Sequence, residues 1–110
     1  MRPAQDNDVF HAIAHPARRA MLVMLKHGEQ PASALAAPFD MSLPAISQHL
    51  KVLKEAELVV ERREGRQRIY RLQPDGLHEV ASWAREFESY FNARLDALAA
   101  HLDAKHGKKR

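Results

Sequence analysis

A chain of 110 residues, 45% of them apolar and 28% charged, has the size and composition of one globular domain, which excludes disordered, collagenous and repeat architectures. With no cysteine, a disulfide framework, a thiolate metal site and nucleophilic cysteine chemistry are excluded as well. The net charge of +3 sits in one segment: residues 1–41 and 73–110 are each balanced, whereas residues 42–72 hold seven basic against four acidic residues, a concentration that fits a polyanionic partner or, more commonly, a solvated charged face.

In chain order, Asp6 or Asn7 is placed to cap a first short helix that carries Val9, Phe10 and Ile13 on one side. His15-Pro16 interrupts it. Pro16 suits the first turn of a second helix, in which Met21, Leu22 and Leu25 recur at helical spacing up to Lys26-His27-Gly28. A short third helix starts near Pro31 to Ser33, turns Leu35 and Ala36 inward and ends at Pro38-Phe39-Asp40-Met41. Ser42 then caps a fourth helix with Pro44 in its first turn, running to about Ala56, so that two helices flank a short turn in the helix-turn-helix manner.

Residues 58–63 and 67–72 are rich in branched and aromatic side chains and flank Glu64-Gly65-Arg66, which predicts a two-stranded hairpin. Beyond Pro74, with Asp75 as cap, Leu77, Val80, Ala84, Phe87, Phe91, Leu95, Leu98 and Leu102 trace one apolar stripe along roughly seven helical turns. So long a stripe exceeds what a domain of this size covers, and a second copy of the chain is the default partner. The expected fold class is mainly α with a two-stranded β-hairpin wing, in the order α-α-α-α-β-β-α. Residues 1–110 are expected to form a single domain, with a dimerisation helix over about 75–104.

On the fourth helix, at about 100° per residue, Ile46, Leu50 and Leu53 cluster on the core side. Pro44, Ser47, Gln48 and Lys51 cluster opposite, where glutamine can pair with adenine, serine with either base type, and lysine with guanine or phosphate in a major groove. Ser42, at the helix start, joins these candidate DNA contacts. His49 projects nearer the buried flank, where it either touches a phosphate or packs. The hairpin brings Arg62, Arg63, Arg66 and Arg68 close to its tip, a composition suited to a narrow minor groove or its flanking phosphates.

Three segments, Phe10-His11-Ala12-Ile13-Ala14-His15-Pro16-Ala17-Arg18-Arg19, Pro44-Ala45-Ile46-Ser47-Gln48-His49-Leu50-Lys51-Val52-Leu53 and Gly65-Arg66-Gln67-Arg68-Ile69-Tyr70-Arg71-Leu72, resemble the ArsR-type family of winged helix-turn-helix bacterial regulators. The last helix, with Trp83-Ala84-Arg85 and residues 90–98, is similar to a subgroup that lacks the metal-binding cysteines. The resemblance implies a homodimer built on the first and last helices, through Val9, Phe10, Ile13, Phe87, Phe91, Leu95, Leu98 and Leu102. It implies double-stranded DNA as the other partner, an imperfect palindrome met by Ser47, Gln48 and His49 in the major groove and by the Arg66 hairpin tip in the minor groove. It also implies repression by promoter occlusion. Where some members carry a Cys-x-Cys pair in the third helix, this chain has Pro31 and Ser33.

No cofactor is expected, and the residues leave open whether any effector exists and, if one does, whether it is a small molecule or a metal ion. His101, Asp103 and His106 are donor types but do not share one helix face, and solvated residues on a fraying end are the plainer meaning. Met21, Met24, Met41, Trp83 and Phe87 line either a ligand cavity or simply the core. No phosphate loop, nucleophile elbow or His-Glu-x-x-His pair supports an enzyme. A pure protein-interaction module leaves the basic hairpin without a purpose. The opening residues carry no apolar run of signal-peptide length and no stretch of about 18 apolar residues follows, so a soluble cytoplasmic protein without a membrane partner is expected.

Overall fold

A computed structural model describes residues 8–106, with side chains to residue 103. Helix α1 (Val9–Ala12) is capped by Asp8, whose Oδ1 accepts from the Phe10 amide at 3.4 Å; Asp6 and Asn7, expected in that role, lie outside the described residues. Helix α2 (Pro16–Leu25) begins with proline at its first position and with the ring Nδ1 of His15 accepting from the Ala17 amide at 3.0 Å. Strand β1 (Gln30–Pro31) leads into α3 (Ala32–Ala36), and α4 (Leu43–Glu55) starts where Ser42 Oγ accepts from the Ala45 amide at 3.2 Å.

Helix α4 ends in a Schellman arrangement: the Leu58 amide donates to Leu53 O and the Glu57 amide to Lys54 O, both at 3.0 Å. Glu57, at φ 62°, occupies the left-handed position that usually takes glycine. Strands β2 (Val59–Glu64) and β3 (Gln67–Leu72) then pair antiparallel, from Val59 opposite Leu72 to Glu64 opposite Gln67. Their turn is Gly65-Arg66 alone, with positive φ at Gly65 and not at Arg66, as in a type II′ hairpin.

The architecture is the expected one, with two additions. Strand β1 lies along β3, Gln30 opposite Tyr70 and Pro31 opposite Ile69, making a three-stranded sheet in the order β1-β3-β2. Two residues, one of them a proline suited to a sheet edge, are too few to show strand alternation in a sequence. Second, the last helix is two, α5 (Leu77–Arg85) and α6 (Glu88–His106), entered through a 3-10 turn, Pro74–Gly76, that contains Asp75 rather than following it. A β-carbon on Gly76 would stand 2.8 Å from Leu58 Cδ2 and 3.2 Å from Glu57 O, so any side chain here would force the buried Leu58 to shift and press on the end of α4.

The chain divides into two compact units, one running to Val80 and the other starting at Ala81. The core of the first joins Met21, Leu35, Leu50, Leu53, Leu58 and Val59, all essentially without exposure, and Leu77 and Val80 pack against it. In the second, Trp83 and Phe87 meet edge to face with centroids 5.2 Å apart, while Phe91, Leu95, Leu98 and Leu102 remain about half exposed along α6. Among the described residues no helix is long and apolar enough to cross a membrane.

Candidate nucleic-acid interface

The capped start of α4 sets its rotation, and burial follows the predicted faces. Ile46, Leu50 and Leu53 are buried, while Pro44, Ser47, Gln48 and Lys51 are exposed. These four line one wall of an open groove of about 510 Å³ whose other wall is the hairpin, through Glu61, Arg68 and Tyr70. Ser42 is exposed, with its hydroxyl engaged in the cap, and Leu43 beside it is 73% exposed.

Glu61 ties the two walls together. Its Oε1 accepts from Lys54 Nζ of α4 at 2.7 Å, while Oε2 accepts from the Tyr70 hydroxyl at 3.1 Å and lies 3.6 Å from Arg68 Nη1. The Lys54 hydrogen bond, first among the causes, holds this carboxyl below the usual carboxylate range despite partial burial. Tyr70 is shifted the other way, upward, by burial and by the Glu61 charge. Sequence reasoning missed Lys54, Glu61 and Tyr70 as a unit; the opposite charges were visible, but the pairing needs the register that puts Glu61 opposite Tyr70.

Strand alternation sorts the wing arginines, because successive side chains point to opposite faces. Arg63 and Arg68 are directly paired and share the face of Glu61 and Tyr70, toward the groove. Arg62 lies on the other face, where Glu29 Oε1 at 2.7 Å and Glu64 Oε2 at 3.3 Å neutralise it, and the Glu29 hydrogen bond is the main reason its pKa is raised. In the free chain Arg62 thereby clasps the wing to the segment before β1. Arg66 occupies the hairpin tip, and among the described residues neither it nor Arg63 has an ion-pair partner.

His49 is resolved in favour of packing. Its Nδ1 lies 3.0 Å from Arg18 Nη1, and since guanidinium only donates, Nδ1 accepts and the ring proton sits on Nε2. The His15 ring stands against it at 4.3 Å. Burial first, then the His15 and Arg18 charges, lower the His49 pKa and keep it neutral. Arg18, which sequence reasoning passed over, is itself buried: Nε donates to Ala12 O at 2.6 Å and Nη2 to His11 O at 3.0 Å, so its charge closes the end of α1. His49 therefore braces α4 against α1 and α2 through Arg18.

Of the residues in and next to α1 expected at a dimer interface, Val9 is buried in its own core, at 6% exposure, while Phe10 and Ile13 keep part of their surface. Phe87, Phe91, Leu95, Leu98 and Leu102 are exposed in the single chain. Met21 is solid core, Met24 and Met41 pack against the same core, and Trp83 and Phe87 belong to the C-terminal unit. At the position of the Cys-x-Cys pair, Pro31 ends β1 and Ser33 is exposed on α3, a donor set that does not fit a thiophilic metal. No cluster of three or more His, Asp or Glu able to hold a metal occurs among the described residues; His106 lies beyond the described side chains.

A helix-turn-helix domain family matches residues 13–62. The chain is 40% identical over 81 residues to the transcriptional repressor SdpR of Bacillus subtilis, covering 74% of this chain and 90% of that protein. It is 38% identical over 95 residues to the HTH-type transcriptional regulator Rv2034 of Mycobacterium tuberculosis, 86% of each. Among solved structures, an ArsR family transcriptional regulator superposes with a TM-score of 0.71 at 33% identity, over 84% of this chain and 95% of that one.

Proposed function

Because the chain belongs to the ArsR-type family of winged helix-turn-helix transcriptional regulators, we propose that it represses transcription by binding an imperfect palindrome as a homodimer. Membership makes it a DNA-binding repressor and not an enzyme. Each α4 enters one of two successive major grooves with Ser47, Gln48 and Lys51, and each Arg66 tip reaches the neighbouring minor groove. The unit through Val80 carries the DNA contacts, and the unit from Ala81 supplies dimerisation through Phe87, Phe91, Leu95, Leu98 and Leu102. A DNA partner assigns the protein to the cytoplasm.

The observation that carries this function is the groove in which Pro44, Ser47, Gln48 and Lys51 of α4 face Arg68 of the wing. Reading residues and phosphate-binding residues thus stand on two walls of one surface, the division that duplex recognition requires. The second copy is supported by the exposed stripe of α6, since a patch of this kind on a soluble unit marks an interaction site. Anisotropy of a labelled mixed-sequence duplex, titrated at several salt concentrations, tests the function. Binding should weaken steeply with salt, by about 0.9 in log–log slope for each phosphate neutralised. Absent or salt-insensitive binding would overturn it in favour of a protein-interaction module.

A further inference from the structure

Leu43 is the first residue of α4 and, at 73%, the most exposed large apolar side chain described. A single exposed leucine is ordinary on any protein, so exposure alone says nothing. Its place does. Seven residues on, in nearly the same radial direction, Leu50 is 1% exposed, so the apolar stripe of α4 continues past the core and its first member projects outward. Leu43 stands one turn before Ser47 and next to the exposed ring of Pro44, and the Ser42 cap holds this first turn in place.

A recognition helix meets base edges with its N-terminal residues, so Leu43 and Pro44 are among the first side chains to arrive. In the major groove the groups that identify a base are hydrogen-bond donors and acceptors, and the one apolar group that stands out from the base edge is the C5-methyl of thymine. A leucine laid over a donor or acceptor strips its water and returns no hydrogen bond, which is unfavourable. Over the methyl it buries apolar surface on both sides. We propose that Leu43, flanked by Pro44, is a specificity-determining residue that selects a thymine, through its C5-methyl, at one position of each half-site. This rests on the DNA-binding function above and goes beyond it, since the roles given there to Ser47, Gln48 and Lys51 are hydrogen bonds and charge, not apolar contact.

The test begins with duplexes recovered from a random pool by the wild-type protein. Each thymine of the preferred duplex is then replaced in turn by deoxyuridine, which lacks only the methyl, and affinities are measured by anisotropy. For the wild type, one position per half-site should lose about fourfold on removal of its methyl, the worth of one buried methyl-sized group. L43A should be indifferent to the methyl at that position while keeping the parent's salt slope and melting temperature; Leu43→Met should remain sensitive. Wild-type affinity unmoved by every deoxyuridine, or L43A as sensitive as its parent, would overturn the thymine assignment while leaving salt-dependent, sequence-selective binding intact. A wild type that selects no duplex and shows no salt-dependent binding would remove the DNA-binding function itself, and the assignment with it.

Discussion

Replacing Leu95 by alanine probes the dimer through α6. Leu95 is 62% exposed in the single chain, so a partner has most of its side chain left to cover. The substitution deletes three carbon groups, which at about 0.8 kcal/mol each is about 2.4 kcal/mol for a side chain taken from full exposure to full burial. Scaled to the exposed fraction, this is about 1.5 kcal/mol per copy and about 3 kcal/mol per dimer, or about 150-fold in the dissociation constant. Sedimentation velocity over a concentration series reads this directly. Far-ultraviolet dichroism checks that the helices remain, as they should for a residue that contributes nothing to the core of its own protomer. A parent that stays monomeric at micromolar concentration, or an L95A dimer within threefold of the parent, would refute the reasoning, because the α6 stripe would then be covered by something other than a second copy.

Gln48→Ala should relax base preference at one position per half-site by about 1–3 kcal/mol, whereas Arg66→Ala should weaken all duplexes alike and lower the salt slope by about 0.9; selection from a random pool and salt titration separate the two. Arg63→Ala should lower the slope in the same way and Arg62→Ala should not, because Glu29 and Glu64 already hold Arg62; equal losses in the two variants would contradict the sorting by strand face. His49, with its pKa lowered by burial, binds fewer protons folded than unfolded, so its contribution to stability is full above about pH 6.5 and falls as the pH drops below that value. Urea melts at pH 7.5 and 5.5 should show this loss in the parent and not in His49→Gln. Gly76→Ala should destabilise the fold by about 1–3 kcal/mol in thermal melts, since its β-carbon would collide with Leu58 Cδ2 and press on Glu57 O.

Most of the fold was legible because its determinants are local. Ser42, Pro16 and the apolar periods of α2 and α4 act within a turn or two of themselves, and the structure places their helices where the sequence predicts. The reading face was legible for the same reason: Pro44, Ser47, Gln48 and Lys51 are exposed because Ile46, Leu50 and Leu53 are not. What escaped depends on contacts between distant residues. The pairing of Gln30 with Tyr70, the grip of Arg18 on His49 and the clasp of Arg62 by Glu29 each join positions that no local pattern connects. His49 shows the limit most plainly, since its angle on α4 allowed either fate and a buried guanidinium from α2 decided it.

The wing carries a local conflict that its own fold does not require. Arg63 and Arg68 stand directly opposite each other, and like charges so placed destabilise a hairpin. Carboxylates are available nearby, yet two of them sit on the far face with Arg62, while the groove face has Glu61, already shared by Lys54, Arg68 and Tyr70. The groove face therefore holds more positive charge than it can neutralise. A phosphate brought between Arg63 and Arg68 would convert their mutual repulsion into two attractions, so the strain in the free chain becomes a difference in affinity between bound and unbound states. On the opposite wall α4 offers the neutral Pro44, Ser47 and Gln48, which gain little from any polyanion in general, beside Lys51, which can also meet a phosphate. The proposed function thus puts most of the affinity on the wing wall and most of the selectivity on the helix wall, and Glu61, bonded to both, fixes the spacing at which they would act together.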